Sequence, residues 1–201
     1  MSTFVALLRG INVGGKNILP MKELKVVFED LGLKNVQTYI QSGNVVFQCK
    51  ATKTPKLSHD IGTAIFKSHE LTPQVLVLSV QELHDAIASN PFPEGESDPK
   101  SLHLFFLESS PVNPDLKRLE SLKSESERFK LIDTVFYLHA PNGTGRSKLA
   151  ANVEKSLGVT LTARNWRSAG KILSMAREAD ANSEQCRAGT GPGFGKHLKE
   201  K

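Results

Sequence analysis

Two stretches of this chain concentrate side chains suited to holding an anion. The first is Arg9-Gly10-Ile11-Asn12-Val13-Gly14-Gly15-Lys16-Asn17, which follows a short apolar run. Arg9, Asn12, Lys16 and Asn17 supply donors, and Gly14 and Gly15 free the backbone for a nest of N–H groups. From Gly10 to Lys16 the stretch matches GxxxxGK, the phosphate loop of nucleotide hydrolases, but that reading fails at three points. Asn17 stands where a Ser or Thr would hold Mg²⁺. Pro20 starts the next helix too late for its N-terminus to cradle phosphate. The surrounding pattern is also antiparallel rather than a βαβ series. The bland alternative is a tight loop whose Asn and Gly residues satisfy only its own backbone.

The second stretch, Pro141-Asn142-Gly143-Thr144-Gly145-Arg146-Ser147-Lys148, runs into a helix start. A helix N-terminus carries unpaired N–H groups and about half a positive charge. Adding Arg146 and Lys148 there is electrostatically unfavourable without an anion. Arg164, Asn165 and Trp166 are expected at the same end of their sheet. The competing reading has Ser147 and Asn165 as helix caps and Trp166 as core. Charge distribution suggests either an anionic partner or a solvated basic surface that keeps the protein soluble: residues 1–139 hold 15 Lys+Arg against 16 Asp+Glu, whereas residues 140–201 hold 11 against 5. The positive excess therefore lies in the last third, near the second stretch.

The elements that must position these groups follow from periodicity. Phe4–Leu8 reads as a strand, and Leu24, Val27, Phe28 and Leu31 as a helix face. Val36–Ile40 and Val45–Phe47 form a hairpin around Ser42-Gly43-Asn44. A helix capped by Ser58 buries Ile61, Ala64 and Ile65, and Val75–Leu78 is a fourth strand. A helix opened by a Ser79/Glu82 capping box closes the half. Pro91–Ser101 reads as a linker with little to bury. The same order then recurs: strand Leu102–Leu107, a helix after Asn113-Pro114, a hairpin around Asp133-Thr134, a helix from Ser147 to Leu157, strand Val159–Ala163 and a helix capped by Asn165. The predicted fold class is α+β, two ferredoxin-like subdomains (β-α-β-β-α-β plus helix) in tandem, over residues 1–90 and 102–180, with a flexible tail over 181–201. The right-handed crossover rule puts the first loop and the first hairpin at one sheet end. Tyr39, Gln41, Ser42 and Asn44 should therefore lie within roughly 10 Å of the Arg9–Asn17 loop.

LLRGINVGGKN, VQTYIQSGNVVF and GRSKLAANVEKSLGVTLTARNW, in that order, resemble the bacterial DUF1697 family, a domain of unknown function. The resemblance runs to about Met175. It implies two linked ferredoxin-like subdomains and carries no established activity. The residues matching its motifs are Arg9, Asn12, Gly14, Gly15, Asn17, Tyr39, Gln41, Ser42, Gly43, Asn44, Arg146, Ser147, Lys148, Arg164, Asn165 and Trp166.

Other chemistries find little support. The six histidines form no HxxH or HExxH spacing, so no metal site is expected, and no cofactor is called for. No GxSxG elbow is present. Cys49 and Cys186 make no CxxC, which points to thiols in a reducing, cytoplasmic compartment. No stretch approaches the ~20 apolar residues that span a bilayer, so a membrane role is not expected. Three functions remain: a module for a phosphate-bearing or other anionic ligand, including nucleic acid; a metal-free enzyme on a small anion with Tyr39, Arg9 or Lys16 in the chemistry; and a structural protein whose motif loops lock the halves. For RNA, Phe4 and Phe47 occupy the strands on which ferredoxin-like sheets stack bases. Oligomeric state is not legible.

Overall fold

The apolar run at the N-terminus alternates between two destinations. Phe4, Ala6 and Leu8 enter one core and Val5 and Leu7 another, because successive strand residues point to opposite faces. The computed structural model describes residues 1–50 and 53–188, with side chains to 183 in the last helix. The first half comprises β1 (Ser2–Arg9), α1 (Met21–Asp30), β2 (Lys34–Tyr39), β3 (Asn44–Cys49), α2 (Thr54–His69), β4 (Gln74–Ser79) and α3 (Val80–Ala88). The second comprises β5 (Leu102–Leu107), α4 (Leu116–Leu122), β6 (Arg128–Ile132), β7 (Val135–His139), α5 (Lys148–Leu157), β8 (Leu161–Asn165) and α6 (Trp166–Ala188).

Each half holds a four-stranded antiparallel sheet, ordered β2-β3-β1-β4 and β6-β7-β5-β8. This is the ferredoxin-like order in both, as the sequence predicts. On one face of the first sheet, Phe47 and Leu8 meet Leu24 and Phe28 of α1 and Ile61 and Ile65 of α2. In the second, Phe136 and Leu138 meet Leu119 of α4 and Leu149 and Val153 of α5. The remaining faces turn toward each other. Val5, Leu7 and Val46 share a third core with Leu104, Phe106 and Tyr137, filled by Leu83 of α3 and Ile172, Leu173 and Ala176 of α6. Both sheets are thus covered on both sides.

Polar ties cross this third core. The Tyr137 hydroxyl donates to Ala86 O at 2.6 Å, and Gln48 Nε2 donates to Ala179 O at 2.7 Å. The Ser79/Glu82 capping box forms as expected, and Gly158 ends α5 in the left-handed conformation.

Several local readings differ from the sequence expectation. The helix α2 starts at Thr54 with Pro55 in its first turn, so Ser58 is no cap. Its Oγ instead donates to Thr54 O and accepts from Val77 N on the open edge of β4. The linker does bury a residue: Phe92 is 8% exposed and precedes a 3-10 turn over Pro93–Glu96. The Arg128 guanidinium lies 5.1 Å from its ring, and His139 stacks on it. Strand β8 begins at Leu161 rather than Val159. The last helix continues through Ala188, past the expected tail boundary at 181; the rest of that tail lies outside the described residues.

Candidate functional site

The Arg9–Asn17 loop folds back as a miniature hairpin. Val13 and Lys16 form an antiparallel bridge, and Lys16 N donates to Val13 O at 3.0 Å. Gly14 and Gly15 sit at φ 57° and 75°. Positive φ at both central positions is the signature of a type I′ turn, which glycine adopts without strain. The asparagines close the base. Asn12 Oδ1 accepts from Leu19 N, and its Nδ2 donates to Leu19 O at 2.9 Å and Gln41 O at 3.0 Å. Asn17 Nδ2 donates to Gly10 O at 2.7 Å. These asparagine donors, read as ligand-facing, are occupied by backbone of the loop and the adjoining turn.

The neighbouring hairpin lies where the crossover rule places it. Leu8 N donates to Gly43 O at 2.8 Å, and Leu7 pairs with Asn44. Gly43 has φ 70°, and a Cβ there would stand 2.6 Å from Leu8 Cβ. The backbones approach this closely only because position 43 has no side chain. Asn44, 1% exposed, donates to Tyr39 O and Ser42 Oγ. Tyr39 packs half-buried against the inter-sheet core. Gln41 and Ser42 are exposed.

Arg164 corrects the prediction most sharply. It is 8% exposed. Its Nε donates to Asn44 Oδ1, Nη2 to Leu8 O at 2.8 Å and Ser42 O at 3.2 Å, and Nη1 to Thr162 Oγ1 at 2.9 Å and Ala163 O at 2.7 Å. A guanidinium has five N–H donors, and all five are used. Arg164 has none left for a ligand; it ties β8 of the second half to the end of β1 and the hairpin of the first. Burial lowers its pKa to about 10, which still leaves it charged at neutral pH.

Arg9 reaches the other way. Its Nη1 donates to Glu154 Oε1 on α5 at 2.6 Å and to Leu161 O at 3.0 Å. The pairing raises the Arg9 pKa and lowers that of Glu154, the hydrogen bond being the largest cause in each. Both side chains are well exposed, at 44% and 40%, so the pair is a solvent-screened contact. The two halves therefore exchange arginines across their junction.

Beside this exchange lies a cleft of about 400 Å³, lined by Arg9, Gly10 and Ile11 of the loop and by Ala150, Glu154 and Leu161 of the second half. Larger grooves of about 760 and 820 Å³ flank the end of α6 and the α2–β4 edge. Neither is lined by a predicted site residue. Ser147 caps α5, its Oγ accepting from Ala150 N, and Asn165 caps α6 by accepting from Ser168 N. Trp166 packs half-buried against the inter-sheet core. For these three the structure supports the cap and core readings. Arg146 and Lys148 are exposed and pair with no carboxylate among the described residues. Lys148 stands three residues before Ala151, a cleft residue, and residues at that spacing share a helix face. Lys16 is also exposed, at the hairpin tip.

Phe4 and Phe47 stack on each other at 5.9 Å inside the first core, under α1 and α2. No face of either sheet is open for base stacking, so that mode of RNA reading is overturned. No group of three or more His, Cys, Asp or Glu among the described residues could hold a metal ion, and no described helix is long and apolar enough to cross a membrane. Sequence reasoning missed Glu154. It lies seven residues after the Ser147 cap, two helical turns along the same face, and that spacing was the available signal.

A family model described as a protein of unknown function, DUF1697, matches residues 1–137. The chain belongs to this family. The match ends before the third motif, so Arg146, Ser147, Lys148, Arg164, Asn165 and Trp166 lie beyond it. No curated protein matches the chain. Among solved structures, the chain is similar to the conserved bacterial protein SP0830 from Streptococcus pneumoniae, with 26% identity and a TM-score of 0.67. The likeness covers 87% of this chain and 98% of the other. For this DUF1697 member, then, the fold is shared over most of the chain with a conserved bacterial protein.

Proposed function

We propose that the protein is a cytoplasmic binding module for a small, phosphate-bearing or other anionic ligand, seated at the mouth of the inter-half cleft beside the N-terminus of α5. The observation that carries this reading is the pair Arg146 and Lys148, exposed and unpaired at a helix start whose own field is already positive. The remaining Arg9 donors extend the cationic lining across the cleft. Glu154, held by Arg9, also lines the cleft and would disfavour an anion placed against it.

The experiment is a thermal-shift series with inorganic phosphate, nucleotides and a mixed-sequence RNA. A saturable rise in melting temperature with phosphate or nucleotide supports the reading. A shift with RNA alone, falling steeply as salt rises, would move the assignment to nucleic acid.

One observation favours a second reading, that the motif serves to lock the halves and no ligand binds. All five donors of Arg164 are committed inside the protein. Under that reading, Arg146→Ala with Lys148→Ala leaves every thermal shift unchanged.

A further inference from the structure

The hairpin loop also displays exposed apolar side chains. Val13 and Ile18 are 66% and 60% exposed, and Ile40, in the adjoining turn, is 52% exposed. Asn12 organises all three: it neighbours Val13, hydrogen-bonds both backbone groups of Leu19 next to Ile18, and donates to Gln41 O next to Ile40. Ile40 also adopts φ 49°. A β-branched residue rarely occupies that region, and the side chain held there faces solvent instead of filling a core. Large apolar side chains gathered on one protruding surface mark an interaction site more often than scattered ones do.

Residues 9–22 contain Arg9, Lys16 and Lys22 and no carboxylate, residues 39–48 contain no charged side chain, and Glu23, the next carboxylate along the chain, is engaged by His69 at 2.9 Å. Arg9 is turned toward Glu154, which leaves Lys16 at the hairpin tip and Lys22, four residues after Ile18, as the exposed cations of this stretch. We infer that Val13, Ile18 and Ile40, flanked by Lys16 and Lys22, form a docking surface for an acidic, amphipathic segment of another protein. The isoleucines would enter its apolar face while the lysines meet its carboxylates.

Fluorescence anisotropy with two synthetic amphipathic peptides tests this. Both carry the same apolar residues; one has Glu and the other Lys at the polar positions. The Glu peptide is expected to bind at least about tenfold more tightly. Ile18→Ser with Ile40→Gly should weaken that binding about tenfold without lowering the melting temperature, since glycine relieves the positive φ. Lys16→Glu with Lys22→Glu, all surface changes, should do the same. Arg146→Ala with Lys148→Ala should leave peptide binding intact, which separates this surface from the cleft. Equal binding of the two peptides, or binding indifferent to the isoleucine and lysine variants, overturns the inference. So does concentration-dependent dimerisation in sedimentation that the isoleucine variant abolishes, which would make a second copy the occupant.

Discussion

The Nε of Arg164 donates to the side-chain oxygen of Asn44, joining strand β8 of the second half to strand β3 of the first across 120 residues of sequence. Asn44 is itself fixed by donating to Tyr39 O and Ser42 Oγ. The rest of the guanidinium reaches Leu8 O and Ser42 O, so one side chain satisfies the carbonyl ends of a strand and a turn in the opposite half.

Arg164→Ala should therefore destabilise the fold by about 2–4 kcal/mol, because it leaves several buried acceptors without donors. Arg164→Lys should recover only part of this, since an ammonium cannot reproduce a five-donor planar fork. Urea denaturation of both variants measures the difference. A loss below about 0.5 kcal/mol for the alanine variant would contradict the lock.

Gly43→Ala should cost at least about 2 kcal/mol, combining a left-handed backbone with a contact of 2.6 Å to Leu8 Cβ. Gly14→Ala meets nothing within 4 Å and suffers only from its φ of 57°, about 1 kcal/mol. Thermal unfolding of the two variants side by side isolates the steric part.

Arg9 and Glu154 make the opposite case. Their ion pair is exposed, so a double-mutant cycle should give a coupling of about 0–1 kcal/mol that shrinks as salt rises. A coupling of several kcal/mol that survives high salt would show that the pair is shielded from water.

Stability should also fall at both ends of the pH scale. Burial holds His103 and His139 below the ordinary imidazole value of 6.5, with the Arg128 charge adding to the effect at His139. The folded protein then binds fewer protons than the unfolded chain, so this contribution is complete above pH 6.5 and is lost as pH drops below it. Burial pushes Tyr137 from 10.0 up to about 12, so stability should decline again as pH rises through that window. Denaturant midpoints across pH check both limbs, and His139→Gln should flatten the acidic one.

The fold was legible because both hydrophobic periods and turn residues agreed along the chain. The Ser79/Glu82 box, Gly158 and the Ser42-Gly43 turn each mark a boundary by local chemistry, and the crossover rule then aligned the loop with the hairpin. The site was less legible because a donor's type does not reveal its acceptor. Asn12, Asn17 and Arg164 look identical in sequence whether they face a ligand or a carbonyl of their own chain. The packing of the two sheets through α3 and α6 decides which, and no local pattern encodes it. The buried Phe92 was hidden in the same way, by the Pro- and acid-rich residues around it.

The most direct measurement is an NMR titration of the whole chain with inorganic phosphate. Saturable shifts at the amides of Arg146–Ala150, absent in Arg146→Ala with Lys148→Ala while the melting temperature holds, are the predicted result. Unchanged amides at the start of α5, or shifts that persist in the double variant, would contradict an anion seat there.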